Sequence, residues 1–183
     1  MKRIARPITA KYLQNAAAFY LERYPSTAEG LRRVLNRRVA KARMLEAPVM
    51  ENVQQAIDAV VAKFVDAGVI DDKAFAQTKA RSLHRRGTSN RLTRQKLKMA
   101  GVDGDTLAKA MNGLDLELDT SPAERERKAA VALARRRRLG PFRQKDRKDH
   151  RTKDLAAMAR GGFEYQLARK VIDAADPDAL DET

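Results

Sequence analysis

Arg91 to Met111 reads RLTRQKLKMAGVDGDTLAKAM, and Thr152 to Ile172 reads TKDLAAMARGGFEYQLARKVI. Laid side by side the two stretches share one register. Gly101-Val102 falls on Gly162-Phe163, Leu97 on Met158 and Met111 on Ile172. Each is an amphipathic helix, a glycine turn and a second amphipathic helix. A short helix cannot bury its apolar stripe alone, so each pair needs a third helix to close upon. The repeat therefore predicts small helical units in series rather than one large core. Leu31 and Leu35, followed by the helix over Val53 to Val65, form a looser third copy.

Apolar residues recur with helical spacing along the rest of the chain. Leu13, Ala16, Ala17, Tyr20, Leu21 and Tyr24 form one stripe, and Val53, Ala56, Ile57, Val60, Val61, Phe64 and Val65 form another. Leu167, Ala168, Val171, Ile172 and Ala175 form a third. That is the signature of amphipathic α-helices, and no stretch alternates as a strand would. Nine helices are predicted, at roughly 10–24, 27–43, 51–67, 72–86, 90–100, 104–112, 122–139, 148–160 and 164–175. Ser26-Thr27-Ala28-Glu29 reads as a capping box with Ser26 accepting from the Glu29 N–H, and Ser121-Pro122-Ala123-Glu124 as a second start with Pro at the first helical position. Gly68, Gly101 and Gly161 stand where left-handed C-caps would end helices, and Gly140-Pro141 is a stop.

The expected fold is all-α, an elongated curved array of three tandem three-helix repeats. Module one covers 10–70, module two 71–113 and module three 122–176, the last with a basic insert at 140–150. A basic tail (1–9), an acidic linker (114–121) and an acidic tail (177–183) complete the reading.

Charge is sorted along this frame. The 183 residues carry a formal net charge of +14. Lys79 to Lys98 holds eight Lys or Arg residues and no acid, and Arg32 to Arg43 holds six and none. Arg135 to Lys153 holds ten against Asp146 and Asp149. Fields of that sign attract polyanions, so nucleic acid or an acidic nucleoprotein is the expected partner. Cysteine is absent, which excludes disulfides, a thiolate nucleophile and cysteine-type zinc sites. No apolar run is long enough to span a membrane, and the start lacks the apolar core of a secretory signal. The absence of acids before Glu22 resembles a transit peptide, but the amphipathic stretch that follows reads as part of the fold.

Arg33, Arg37 and Lys41 lie one turn apart on the outer side of the second helix, and such a stripe can track a phosphate backbone or an acidic wall. Arg91, Arg94 and Lys98 share a face opposite Leu92, Leu97 and Ala100, with Arg81, Arg85 and Arg86 at the end of the preceding helix. The segment after Gly101 begins acidic, which disfavours reading of a DNA major groove. Arg135 and Arg136, at the head of a four-arginine run that sweeps round its helix, join Arg143, Lys145, Arg147, Lys148 and Arg151 in a flexible polybasic edge. The acidic tail reads as disordered, a candidate internal competitor for that edge. Asp71 and Asp72 suit a helix cap better than a metal site. His84 and His150 lack partners at catalytic spacing, and neighbouring cations oppose their protonation. Phe75, Ala76 and Phe163 are expected in the core.

FVDAGVIDDKAFA (Phe64 to Ala76) and ARGGFEYQLARKVI (Ala159 to Ile172), with the Gly101-Val102 turn between them, resemble the RecX family of recombination regulators over roughly residues 10–175. The resemblance implies tandem three-helix repeats that lie in the groove of a RecA recombinase–DNA filament and restrain its ATPase, strand exchange and coprotease activity. It brings no catalytic residues and no cofactor. The chain is accordingly expected to be a cytoplasmic, monomeric non-enzyme that binds the RecA filament and single- or double-stranded DNA without sequence preference. The alternative is a general nucleic-acid binder without a recombinase partner.

Overall fold

The computed structural model describes residues 6–180. Residues 1–5 and 181–183, the outer parts of the two tails, lie outside the described residues. Among those described there are nine α-helices: α1 (Ala10–Leu21), α2 (Ala28–Met44), α3 (Val53–Asp66), α4 (Asp72–Arg85), α5 (Asn90–Ala100), α6 (Gly104–Glu117), α7 (Pro122–Arg137), α8 (Arg147–Arg160) and α9 (Tyr165–Asp173). Short 3-10 turns stand at Gly140–Phe142 and Asp178–Leu180. No strand forms among the described residues, and a lone bridge joins Ile8 to Val49. The fold is all-α and built of helical repeats, as the periodicity requires. No described helix is long and apolar enough to cross a membrane.

Compactness groups these helices differently from the three-by-three scheme. One unit holds the residues up to Phe75 with Ala100–Asp103; the other holds Ala76–Met99 with Gly104 onward.

In the first unit, α1, α2 and α3 close on Leu13, Ala17, Leu31, Leu35, Ile57 and Val61, none more than 1% exposed. Each large aliphatic side chain so buried contributes about 1.5–3 kcal/mol before chain entropy is subtracted. The segment read as a basic tail ends inside this core. Ile8 is buried, its N–H donates to Pro48 O at 2.8 Å, and Thr9 caps α1 through a bond from Tyr12 N. The start of α2 also differs from expectation. Thr27, not Ser26, is the N-cap: its hydroxyl accepts from Gly30 N at 2.9 Å and donates to Ala100 O at 2.5 Å. One side chain thereby starts α2 and satisfies an orphan carbonyl at the end of α5. Asp71 caps α4 by accepting from Lys73 N and Ala74 N, while Asp72 accepts from Ala28 N, each at 2.9 Å. Phe75 is only half-buried, unlike Ala76.

The second unit contains the repeat that decided the fold, except for its Ala100–Asp103 turn, which belongs to the first. Leu97 and Met158 are both fully buried, and Met111 and Ile172 are 1% and 2% exposed. Gly101 and Gly162 both adopt positive φ, at 93° and 86°, and Gly68 does so at 68°. Gly161 does not: it keeps right-handed φ, and the left-handed position is Gly162. Val102 and Phe163 follow the two glycines into the core. Helix α6 runs to Glu117, past its expected end at 112, because Leu114 is buried; the stretch read as a linker is half helix. The acidic tail is likewise engaged as far as it is described. Leu180 is 8% exposed against the core of α7, α8 and α9, and its carbonyl accepts from Arg127 Nη1 at 2.6 Å.

The α4–α5 turn explains why the last six helices share a unit. A Cβ on Gly87 would lie 2.4 Å from Leu133 N and 2.7 Å from Ala129 O, so the turn rests directly on the backbone of α7.

Candidate nucleic-acid interface

The α2 stripe is partly neutralised by its own helix. Arg33, Arg37 and Lys41 are all exposed. Arg33 Nε, however, donates to Glu29 Oε1 at 2.9 Å, and neighbouring Arg32 donates to Asp58 at 3.0 Å. Arg37 and Lys41 have no carboxylate partner among the described residues.

On α5 the cations are open. Thr93 and Leu97 point inward, while Arg91, Arg94 and Lys98 occupy the exposed side without an ion pair among the described residues. Arg85 and Arg86 stand exposed on the other flank of the Gly87 turn. Arg81 differs, being bonded to Glu117 at 2.6 Å.

The N-terminus of α5, and with it the direction of that cationic face, is held by groups from α6 and α7. Ser89 Oγ accepts from Leu92 N at 3.2 Å. Asn90 N donates to Glu126 Oε2 at 2.6 Å, and Asn90 Nδ2 to Pro122 O at 3.1 Å. Asn90 Oδ1 accepts from Arg125 Nε at 3.0 Å. Arg125 is 1% exposed, donates to Met111 O at 2.8 Å and pairs with Asp115. Burial pushes the Glu126 carboxyl up, against the opposing pull of the Asn90 N–H and Arg125. Burial, then Arg125 and Lys128, push His84 down despite Asp115, so the imidazole is neutral at pH 7.

Three cations of the polybasic edge are internal fasteners. Arg143 forks onto Asp154, with Nη2 to Oδ1 at 2.6 Å and Nε to Oδ2 at 3.2 Å. Arg147 donates to the carbonyls of Ile172, Ala174 and Ala175, closing the C-terminus of α9. Arg151 forks onto Asp173 at 2.7 Å twice. The run at the end of α7 stops cleanly, with Arg138 as a left-handed cap. Arg135 lies 5.4 Å from the Phe142 ring centroid; Arg136, Lys145 and Lys148 remain on the surface. Among the described residues no group of three or more His, Asp or Glu is placed to hold a metal.

Asp154 gives a pH dependence. Burial alone would raise its carboxyl, but the Arg143 bond and the Gly140 N–H outweigh burial and hold it below its ordinary 3.8. A carboxyl whose folded value is depressed lends stability that is complete above the unfolded value and disappears as pH falls toward the folded one. Asp154→Asn is expected to lose about 1.5–3 kcal/mol at neutral pH. The gap between variant and parent should begin to narrow only as pH falls below the ordinary 3.8 and close beneath the lower folded value, in urea unfolding at stepped pH.

Sequence reasoning missed Arg125 and Asp154, although both left a signal. Arg125 lies on the apolar stripe of Ala129, Ala130, Leu133 and Ala134. Asp154 lies on that of Ala157 and Met158, in the repeat register of buried Thr93. A charge on a buried stripe reads as a core ion pair.

Comparison with known proteins accords with this architecture. A family model described as RecX, second three-helix domain, matches residues 71–111, the span from α4 into α6. The chain is 40% identical over 171 residues to the regulatory protein RecX of Myxococcus xanthus, covering 92% of this chain and 88% of that one. With the regulatory protein RecX of Agrobacterium fabrum it shares 33% identity over 113 residues, 61% of this chain and 56% of that one. A crystal structure of RecX from Lactobacillus salivarius superposes with a TM-score of 0.56 at 20% identity, over 95% of this chain and 97% of that one, a likeness of fold. Identity at this level over nearly the whole length settles the relationship: the chain belongs to the RecX family of regulatory proteins.

Proposed function

We propose that the chain regulates homologous recombination by binding a RecA recombinase–DNA filament in its helical groove, where it inhibits ATP hydrolysis, strand exchange and coprotease activity. It acts without catalysis, as a cytoplasmic monomer. The observation that carries the reading is the open row of Arg91, Arg94 and Lys98 on α5, with Arg85 and Arg86 beside it, in a regulatory family. Cations one helical turn apart suit a repeating negative track, whether DNA phosphate or acidic filament surface. Several modest contacts on a chain of linked modules add up through effective concentration rather than through one strong site.

Titration of the protein into preformed RecA filament should depress ATP hydrolysis, and no change at saturation would remove the proposal. Reversing Arg91, Arg94 and Lys98 together to Glu should weaken filament binding by at least about tenfold and flatten the salt slope by roughly 2–3, the weight of three phosphate contacts. Reversing Arg33, Arg37 and Lys41 should do less, since Glu29 already occupies Arg33. The same open cations also suit bare nucleic acid. If naked DNA binds as tightly as filament and ATP hydrolysis is untouched, a general nucleic-acid binder is the correct reading.

A further inference from the structure

Helices α4 and α6 border an open groove of about 300 Å³ within the second unit. Arg81, His84 and Arg85 line it from α4, and Leu114 and Glu117 from α6, with Leu118 in the turn just past the helix. Its volume is at the lower end of what ligand-binding clefts offer. Leu114 and Leu118 are one turn apart and make an apolar floor, and Leu114 is itself 4% exposed and therefore fixed. The rim is cationic. Arg85 is exposed, and Arg81 holds Glu117 with both side chains 47% exposed. An exposed pair of that kind contributes little, so another carboxylate can replace Glu117 on Arg81 at small cost. Glu117 thus marks where an incoming carboxylate would sit. Behind the groove, Arg125 and Lys128 from α7 outnumber Asp115 around His84 and keep the local field positive.

We propose that this groove docks an acidic peptide segment, its apolar side chain resting on Leu114 and Leu118 and its carboxylates engaging Arg81 and Arg85. Nucleic acid fits less well. Single-stranded bases stack best on broad aromatic faces, and no Phe, Tyr or Trp lines the groove. The Glu117 carboxylate also opposes a continuous run of phosphates, whereas a single carboxylate exchanges with it. The groove shares Arg85 with the cations beside the α5 row but none of Arg91, Arg94 and Lys98, and the proposal holds whichever protein supplies the segment. Its failure therefore leaves the filament titration untouched.

The test is fluorescence anisotropy with the full-length chain and a short fluorescein-labelled peptide alternating glutamate and leucine. Saturable binding is expected, and replacing the peptide's leucines by serine should weaken it at least about tenfold. Arg85→Glu should weaken it by roughly tenfold with an unchanged circular dichroism spectrum, because an attraction becomes a repulsion. Glu117→Gln should tighten it by about two- to threefold, because the internal competitor is removed. Equal affinity for a leucine-free polyglutamate, or for the Arg85→Glu variant, overturns the proposal. Displacement of the peptide by an oligonucleotide of equal charge at equal concentration also overturns it, in favour of a nucleic-acid site.

Discussion

Arg125→Ala is expected to lower the free energy of unfolding by about 3–5 kcal/mol, the cost of stranding one member of a buried ion pair. Arg125 is 1% exposed and serves three acceptors at once: Asn90 at the start of α5, and the Met111 carbonyl and Asp115 carboxylate of α6. Truncation removes that donor from the buried Met111 carbonyl and the part-buried Asn90 and Asp115. Urea unfolding measures the loss. The companion variant separates charge from shape. Arg125→Met combined with Asp115→Leu removes both charges and refills the volume, and should recover most of the deficit. A single-mutant loss below about 1 kcal/mol would show that the arginine reaches water after all.

Gly87→Ala is the second large effect, and it acts through backbone. The residue sits at φ +68, where a Cβ costs about 1–2 kcal/mol. The added methyl would also meet Leu133 N at 2.4 Å and Leu133 Cα at 2.7 Å, atoms of a helix that cannot step aside as a flexible side chain does. Overpacking adds about 1–3 kcal/mol. The expected total is about 2–5 kcal/mol, read as a shift in the urea midpoint at constant slope. Gly68→Ala is the control: it shares the positive φ but has nothing within 4 Å of its Cβ, so only the conformational part should appear. Equal losses in the two variants would mean that the α4–α5 turn does not press on α7.

Helices were legible because their signals are local. Apolar stripes and the Ser121-Pro122 start need only neighbours within a turn or two, and all nine helices formed near their expected places. The roles of the arginines were not legible, because a cation's partner is chosen by tertiary structure. Arg143, Arg147 and Arg151 look no different in sequence from Lys145 and Lys148, yet Asp154, the end of α9 and Asp173 absorb the first three. Thr27 shows the same limit on a smaller scale, since its acceptor lies 73 residues away. The stop at Leu116 and Glu117 was missed because the burial of Leu114 outweighs the helix-weakening Gly113.

The carboxylates lying against Arg33, Arg32 and Arg81 bear on how any ionic-strength experiment is read. Dissolved ions screen a contact with an outside polyanion, and they loosen these surface pairs as well. Raising the electrolyte therefore weakens attachment while liberating side chains that could attach. The two trends oppose, and the apparent number of contacts drawn from such a plot will be smaller than the number the bound protein makes.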